Sequence, residues 1–132
     1  MGLSVGIITY NEEKNILKVI KSVEKIADEI IIVDSNSTDN TVDLAKKNGA
    51  QVFIENWKGY GPQKNSVIEK CNHDWILLID ADEVVSEKLR KRIFKIINNK
   101  PEFEVYKINF TAVCFGKTIK YGGWSNHYRI RL

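Results

Sequence analysis

The sequence predicts an α/β fold, a mostly parallel, Rossmann-like sheet flanked by helices, with an antiparallel hairpin near the C-terminus. Three observations predict it. Short β-branched runs alternate with segments of helical period, as in successive βαβ units. The run EIIIV at 29–33 is apolar on both faces, as a strand covered from both sides must be. After Pro101 the pattern changes to simple alternation, with Val105, Ile108, Phe110 and Val113 flanking a Gly116-Lys117 turn.

Taken in order, residues 3–9 form the first strand. A helix starting at Asn11 or Glu12 follows, with Ile16, Val19, Ile20, Val23 and Ile26 on its inner face and Lys14, Lys18, Lys21 and Lys25 largely outside. The second strand, 29–33, ends at Asp34. The polar turn 35–39 supplies caps for a helix over 41–48, which Gly49 terminates. A third strand at 51–55 leads through the glycine-rich segment 56–61 to a helix that Pro62 opens and that runs to Cys71. The fourth strand, 75–79, runs into Asp80-Ala81-Asp82-Glu83. Ser86 then caps a helix with Leu89, Ile93, Ile96 and Ile97 inward.

With 132 residues the chain has room for one compact domain and no second full one. Its 43% hydrophobic content and thirteen aromatic residues exclude a disordered or collagen-like chain. A net charge of +3 by itself selects no partner. Cys71 and Cys114 lie far apart without CxxC spacing and read as free thiols in a reducing compartment, so a cytoplasmic location is expected. The first apolar run lacks a basic leader and is cut off by Asn11-Glu12-Glu13, so it reads as a core strand rather than a signal peptide.

In an open α/β sheet, ligands sit outside the carboxyl ends of the strands, where the strand order reverses. That rule brings Thr9, Tyr10, Asn11 and Glu12, then Asp34, then Asp80, Asp82 and Glu83 to one rim. Two aspartates flanking small Ala81 suit a hard divalent cation that takes its remaining ligands from phosphate oxygens and water. Each residue also has a plainer reading. Asp-x-Asp commonly caps a following helix, Asp34 can be a turn aspartate, and Ser37, Thr38 and Asp39 fit caps better than ligands. Lys64 in a first helical turn can be solvated or can meet a phosphate. Trp57, Tyr60 and Trp124 are packing candidates whose glycine-rich surroundings also allow loop roles. Cys71 with His73 does not close a metal site. Lys88, Arg90, Lys91, Arg92 and Lys95 read first as a solvated face and second as a peripheral contact with anionic lipid head groups.

Together, the stretches SVGIITYNEEKNI (4–16), ADEIIIVDSNSTDNTVDLAKKNGA (27–50), WKGYGPQKN (57–65), DWILLIDADEVVS (74–86) and YGGW (121–124), with the segment 128–132, resemble the inverting family 2 glycosyltransferases of the GT-A fold. The likeness is greatest to the lipopolysaccharide core glucosyltransferase branch. The resemblance implies a nucleotide pocket lined by Thr9, Tyr10, Asn11 and Glu12, with Asp34 accepting a hydrogen bond from the base. A carboxylate can only accept, which suits the N3 proton of uracil, so UDP is the expected nucleotide. By the same likeness Asp80 and Ala81 face the ribose or sugar, and Asp82 ligates Mg²⁺ or Mn²⁺ on the diphosphate. Lys64 lies near the phosphates, and Trp124 and Arg129 border the donor sugar or the acceptor. The implied reaction moves a hexose with inversion to a saccharide or lipid-linked acceptor, at the inner face of a membrane, with no nucleic-acid partner.

The family's base is expected late in the chain on the acceptor side, yet no Asp or Glu follows Glu104. The resemblance therefore implies a single nucleotide-sugar-binding domain over 1–132, truncated at its acceptor side, and the general base is not identified. A non-catalytic nucleotide-sugar-binding module is the alternative. A sugar-phosphate nucleotidyltransferase is disfavoured because residues 8–13 hold no glycine to cradle a phosphate.

Overall fold

A computed structural model describes residues 2–114, 116–118 and 127–132, the side chains of Cys114, His127 and Tyr128 excepted. The chain divides into two compact units, Met1–Pro101 and Glu102–Leu132. The first holds four strands, β1 (Leu3–Thr9), β2 (Glu29–Asp34), β3 (Gln51–Ile54) and β4 (Trp75–Asp80). Between and after them lie α1 (Ile16–Val23), α2 (Thr41–Lys47), α3 (Tyr60–Lys70) and α4 (Glu87–Asn98). The sheet is wholly parallel in the order β3-β2-β1-β4.

That order fixes where the helices go. Right-handed crossovers that step from β1 to β2 to β3 place α1 and α2 on one face, and the step back from β3 to β4 places α3 on the other. In agreement, α1 touches α2, while α3 packs on β1 and β2. Ile31, Val33 and Val67 form a buried cluster on the α3 side, joined by Ile8, Leu78 and Cys71. A Cβ on Gly6 would lie 2.4 Å from Val67 Cγ1, so glycine lets α3 approach the middle of β1. Val5 and Ile7 alternate to the opposite face and are fully buried, as are Ile16, Val19, Ile20 and Val23 of α1. Each such side chain contributes about 1.5–3 kcal/mol of burial free energy, which sets the register of every strand that carries them.

The first helix begins at Ile16, not at Asn11 or Glu12. Asn11 takes a left-handed conformation (φ 50°), and Glu12 carries the carbonyl that accepts from the Asn15 and Ile16 amides. Ile26 lies past the helix end and is only half-buried. Helix α3 starts two residues before Pro62, from Gly59 at φ 97°, a conformation in which a side chain would be strained. Ser86 caps α4 as expected, its hydroxyl accepting from the Leu89 amide at 3.2 Å. Ile93 and Ile97 are buried while Leu89 and Ile96 are half-buried. Arg90 is not part of a purely solvated face, since its guanidinium donates to the Ser22 carbonyl at 3.2 Å and ties α4 to α1.

The second unit contains the expected antiparallel hairpin, β6 (Val113–Cys114) with β7 (Lys117–Thr118), as a separate two-stranded sheet. A further antiparallel pair joins β5 (Lys107–Phe110) to β8 (His127–Ile130), and the Arg131 guanidinium lies 5.0 Å from the centroid of the Phe110 ring. Cys71 is a free thiol whose pKa burial pushes up. Among the described residues no helix is long and apolar enough to cross a membrane.

Candidate functional site at the carboxyl rim of the sheet

The strand order reverses between β1 and β4, and a cavity of about 790 Å³ opens at their carboxyl ends. Its lining is Ile8, Thr9 and Tyr10 from the end of β1, Glu12 beyond it, Ser35 after β2, Trp57 and Tyr60 from the segment before and into α3, and Asp80, Ala81 and Asp82 from the end of β4. The register pairs Ile8 with Asp80 and Thr9 with Asp34, so all three tips stand at one edge. The volume falls in the range of small-molecule sites.

The acidic corner has an internal division of labour. Lys64 of α3 pairs with Asp80 Oδ1 at 2.8 Å. Glu83 accepts from the Asp80 amide at 2.7 Å, closing the turn after β4. Asp82 is exposed and has no hydrogen-bond or ion-pair partner among the described residues. Ala81 between them is buried. Among the described residues no three His, Cys, Asp or Glu side chains gather closely enough to hold a metal alone. One free carboxylate at a cavity edge suits a cation such as Mg²⁺ that keeps waters and draws other ligands from phosphate.

Asp34 is fully buried and does not line the cavity. It accepts from Thr9 Oγ1 at 2.7 Å, from the Ser37 amide at 2.7 Å and from Ser37 Oγ at 2.6 Å. In this conformation Asp34 is therefore not open to the base that the resemblance implies it meets. Asn11 lies outside the cavity lining as well. Its side-chain carbonyl accepts from the Thr38 amide at 2.8 Å, and its own amide donates to Ser37 Oγ at 2.8 Å. Two further amides of this loop are also taken, Glu12 donating to Thr41 Oγ1 at 2.8 Å and Glu13 to Asp39 Oδ2 at 3.2 Å. The turn 35–41 thus clasps the loop after β1, a role its residues' capping character only half suggests. Partial burial pushes the Asp39 carboxyl up, but hydrogen bonds from Thr41 and Glu13 outweigh it and hold it below the usual range. With the amides of residues 11–13 taken, these three cannot cradle a phosphate, which weighs against the nucleotidyltransferase reading.

Trp57 and Tyr60 stand 51% and 73% exposed in an edge-to-face pair with centroids 4.9 Å apart. Rings this exposed at a cavity wall are free to stack against a flat ligand. The glycines at 59 and 61 are the sequence signal for it. Glu55 anchors the segment from behind, accepting from Lys58 Nζ at 2.7 Å, Ser66 Oγ at 2.6 Å and Lys70 Nζ at 2.6 Å. The Lys58, Lys70 and Ser66 hydrogen bonds lower its pKa from 4.5 to about 2. A depressed carboxylate stabilises the fold above its unfolded pKa and loses that contribution as pH falls toward the folded value. Glu55→Gln is therefore expected to cost about 1 kcal/mol at neutral pH and to flatten the stability profile between pH 4.5 and about 2, as urea midpoints across that window will show.

Of the remaining expected residues, Arg129 is exposed on β8 in register with Ile108 in the second unit. Trp124 lies outside the described residues.

This fold has solved counterparts. Glucosyl-3-phosphoglycerate synthase from Mycobacterium tuberculosis, in complex with Mn²⁺, UDP-glucose and phosphoglyceric acid, is similar with a TM-score of 0.55 and 29% identity, over 61% of this chain and 33% of that one. The parallel sheet, its flanking helices and the small antiparallel pairs make this a GT-A fold. Residues 4–130 match glycosyl transferase family 2, and the chain belongs to that family. A glycosyltransferase of Rickettsia typhi is 44% identical over 116 residues, 86% of this chain. LpsC, a lipopolysaccharide core biosynthesis glycosyltransferase of Rhizobium meliloti, is 36% identical over 111 residues, 80% of this chain. The chain spans 40% and 41% of the lengths of these two relatives.

Proposed function

We propose that this chain carries the donor-binding part of an inverting glycosyltransferase that moves a hexose from UDP to a saccharide or lipid-linked acceptor. The observation that carries the reading is the cavity at the β1/β4 switch point, lined by Tyr10, Trp57 and Tyr60 together with Asp80, which Lys64 pairs from outside the lining, and Asp82, which has no partner among the described residues. A sugar nucleotide needs both kinds of surface, flat apolar rings for its base and charge compensation for its diphosphate. The M. tuberculosis complex with Mn²⁺ and UDP-glucose supports the assignment by likeness.

Asp82 would hold Mg²⁺ or Mn²⁺ jointly with the diphosphate, and the bound cation supplies charge compensation to the leaving group. Lys64, neutralised by Asp80 in the free chain, turns toward the phosphates as they arrive. Thr9 and Glu12 line the pocket floor beside Tyr10. Asp34 orders Thr9 and the clasp beneath the pocket. No residue of this chain is assigned as the general base. The LpsC likeness favours a lipid-linked saccharide acceptor, and Lys88, Lys91, Arg92 and Lys95 on α4 would then meet anionic head groups at the cytoplasmic face of the membrane.

The test compares UDP, UMP and CDP by calorimetry in Mn²⁺. UDP should bind more tightly than either. Equal affinity for UMP denies the diphosphate a role, and equal affinity for CDP denies the uracil assignment.

A further inference from the structure

Gln63 is fully buried within the third helix yet belongs neither to the apolar core nor to the cavity lining. Its side chain spans two pieces of the rim. Gln63 Oε1 accepts from the Lys58 amide at 3.3 Å, and Gln63 Nε2 donates to Ser35 Oγ at 3.2 Å. Ser35 lines the cavity at the end of β2, and Lys58 directly follows cavity-lining Trp57. A buried amide is tolerated only when its polar atoms are matched, so Gln63 makes the position of the 57–60 segment depend on that of the β2 end. Asn56 adds a second tie, accepting from Asn36 Nδ2 at 3.0 Å.

We propose that Gln63 is a positioning residue that sets Trp57 and Tyr60 as an aromatic wall against which the planar base of a nucleoside diphosphate stacks. The inference rests on the donor-binding reading above. Among the described cavity residues, flat rings come from Tyr10, Trp57 and Tyr60 alone, and the carboxylates at 80 and 82 serve the opposite chemistry. A ligand joining a planar ring to a diphosphate uses both. The T-shaped Trp57–Tyr60 contact fixes the two rings relative to each other, so a single anchor behind Lys58 orients the pair.

The experiment is a double-mutant cycle on the full chain, with UDP titrated in Mn²⁺. Trp57→Ala should weaken UDP about tenfold through lost stacking. Gln63→Met, close in shape but without the two hydrogen bonds, should weaken it about fivefold. If Gln63 acts through the wall, Gln63→Met costs clearly less in the Trp57→Ala background, where only Tyr60 remains to be displaced. An equal loss in both backgrounds, or unchanged affinity in Gln63→Met, overturns the proposal. Should Gln63→Met fail to fold, Ser35→Ala removes the acceptor of the Gln63 amide and takes its place in the cycle. Hydrogen exchange at the Lys58 amide provides a readout without ligand. It should accelerate in Gln63→Met, and unchanged exchange overturns the positioning role whatever UDP does. Absence of UDP binding in the unaltered chain would instead refute the donor reading, with the Lys58 exchange still deciding whether Gln63 holds the segment.

Discussion

Asp34→Ala is expected to lower stability by about 3 kcal/mol, because three hydrogen bonds, one buried and two part-buried, lose their common acceptor and each is worth about 1 kcal/mol. Thr9 Oγ1, the Ser37 amide and Ser37 Oγ would all be left facing the gap where the fully buried Asp34 carboxylate had been. For a chain of this size that corresponds to a fall of roughly 10 °C in the thermal midpoint. Asp34→Asn should cost only about a third as much, near 1 kcal/mol. Its carbonyl can still accept from the Ser37 amide, and the Thr9 and Ser37 hydroxyls can rotate to accept from its NH₂. Thermal melts of the two variants separate the cases. Equal destabilisation by Ala and Asn shows that charge, not hydrogen bonding, is what the loop clasp needs. A wild-type melt for Asp34→Ala shows that the clasp does not depend on Asp34.

Asp82→Ala is expected to behave in the opposite way. The side chain is exposed and has no partner among the described residues, so the melting midpoint should stay within about 0.5 kcal/mol of the original stability. UDP affinity in Mn²⁺ should drop by at least about tenfold, to the level measured with chelator present. The contrast with Asp34 is the useful part. Two aspartates at the same edge of the sheet differ in burial, and burial decides whether the loss appears in folding or in binding. A stability loss without a binding loss at Asp82 removes it as the metal ligand.

The comparison between sequence and structure divides along the same physical line. Residues whose role depends on period were legible. Ile16, Val19, Ile20 and Val23 repeat at helical spacing and are fully buried, and EIIIV became the doubly covered β2. The rim was legible too, because parallel topology forces strand ends to one edge whatever the side chains do. The contacts across that rim were not. Nothing local shows that Ser37, Thr41 and Asp39 receive the amides of residues 11–13, since the partners lie 26 to 29 residues apart. The late start of α1 follows from the same clasp. A turn aspartate or a partner for the base is what the sequence suggests for Asp34, and only the coordinates show Thr9 and Ser37 hydrogen-bonded to a fully buried carboxylate. Trp57 and Tyr60 were visible as aromatics among glycines, but their side of the chain became clear only when both lined the cavity. Gln63 gave no signal at all, because a lone glutamine on a helix of low apolar content reads as surface.

The central claim is that the rim formed by β1, β2 and β4 grips a uridine diphosphate through a cation held at Asp82. Calorimetric titration of the unaltered chain with UDP, once in Mn²⁺ and once in EDTA, tests it most directly. The account predicts saturable binding in Mn²⁺ that is largely lost in EDTA. Identical isotherms in the two buffers would contradict it.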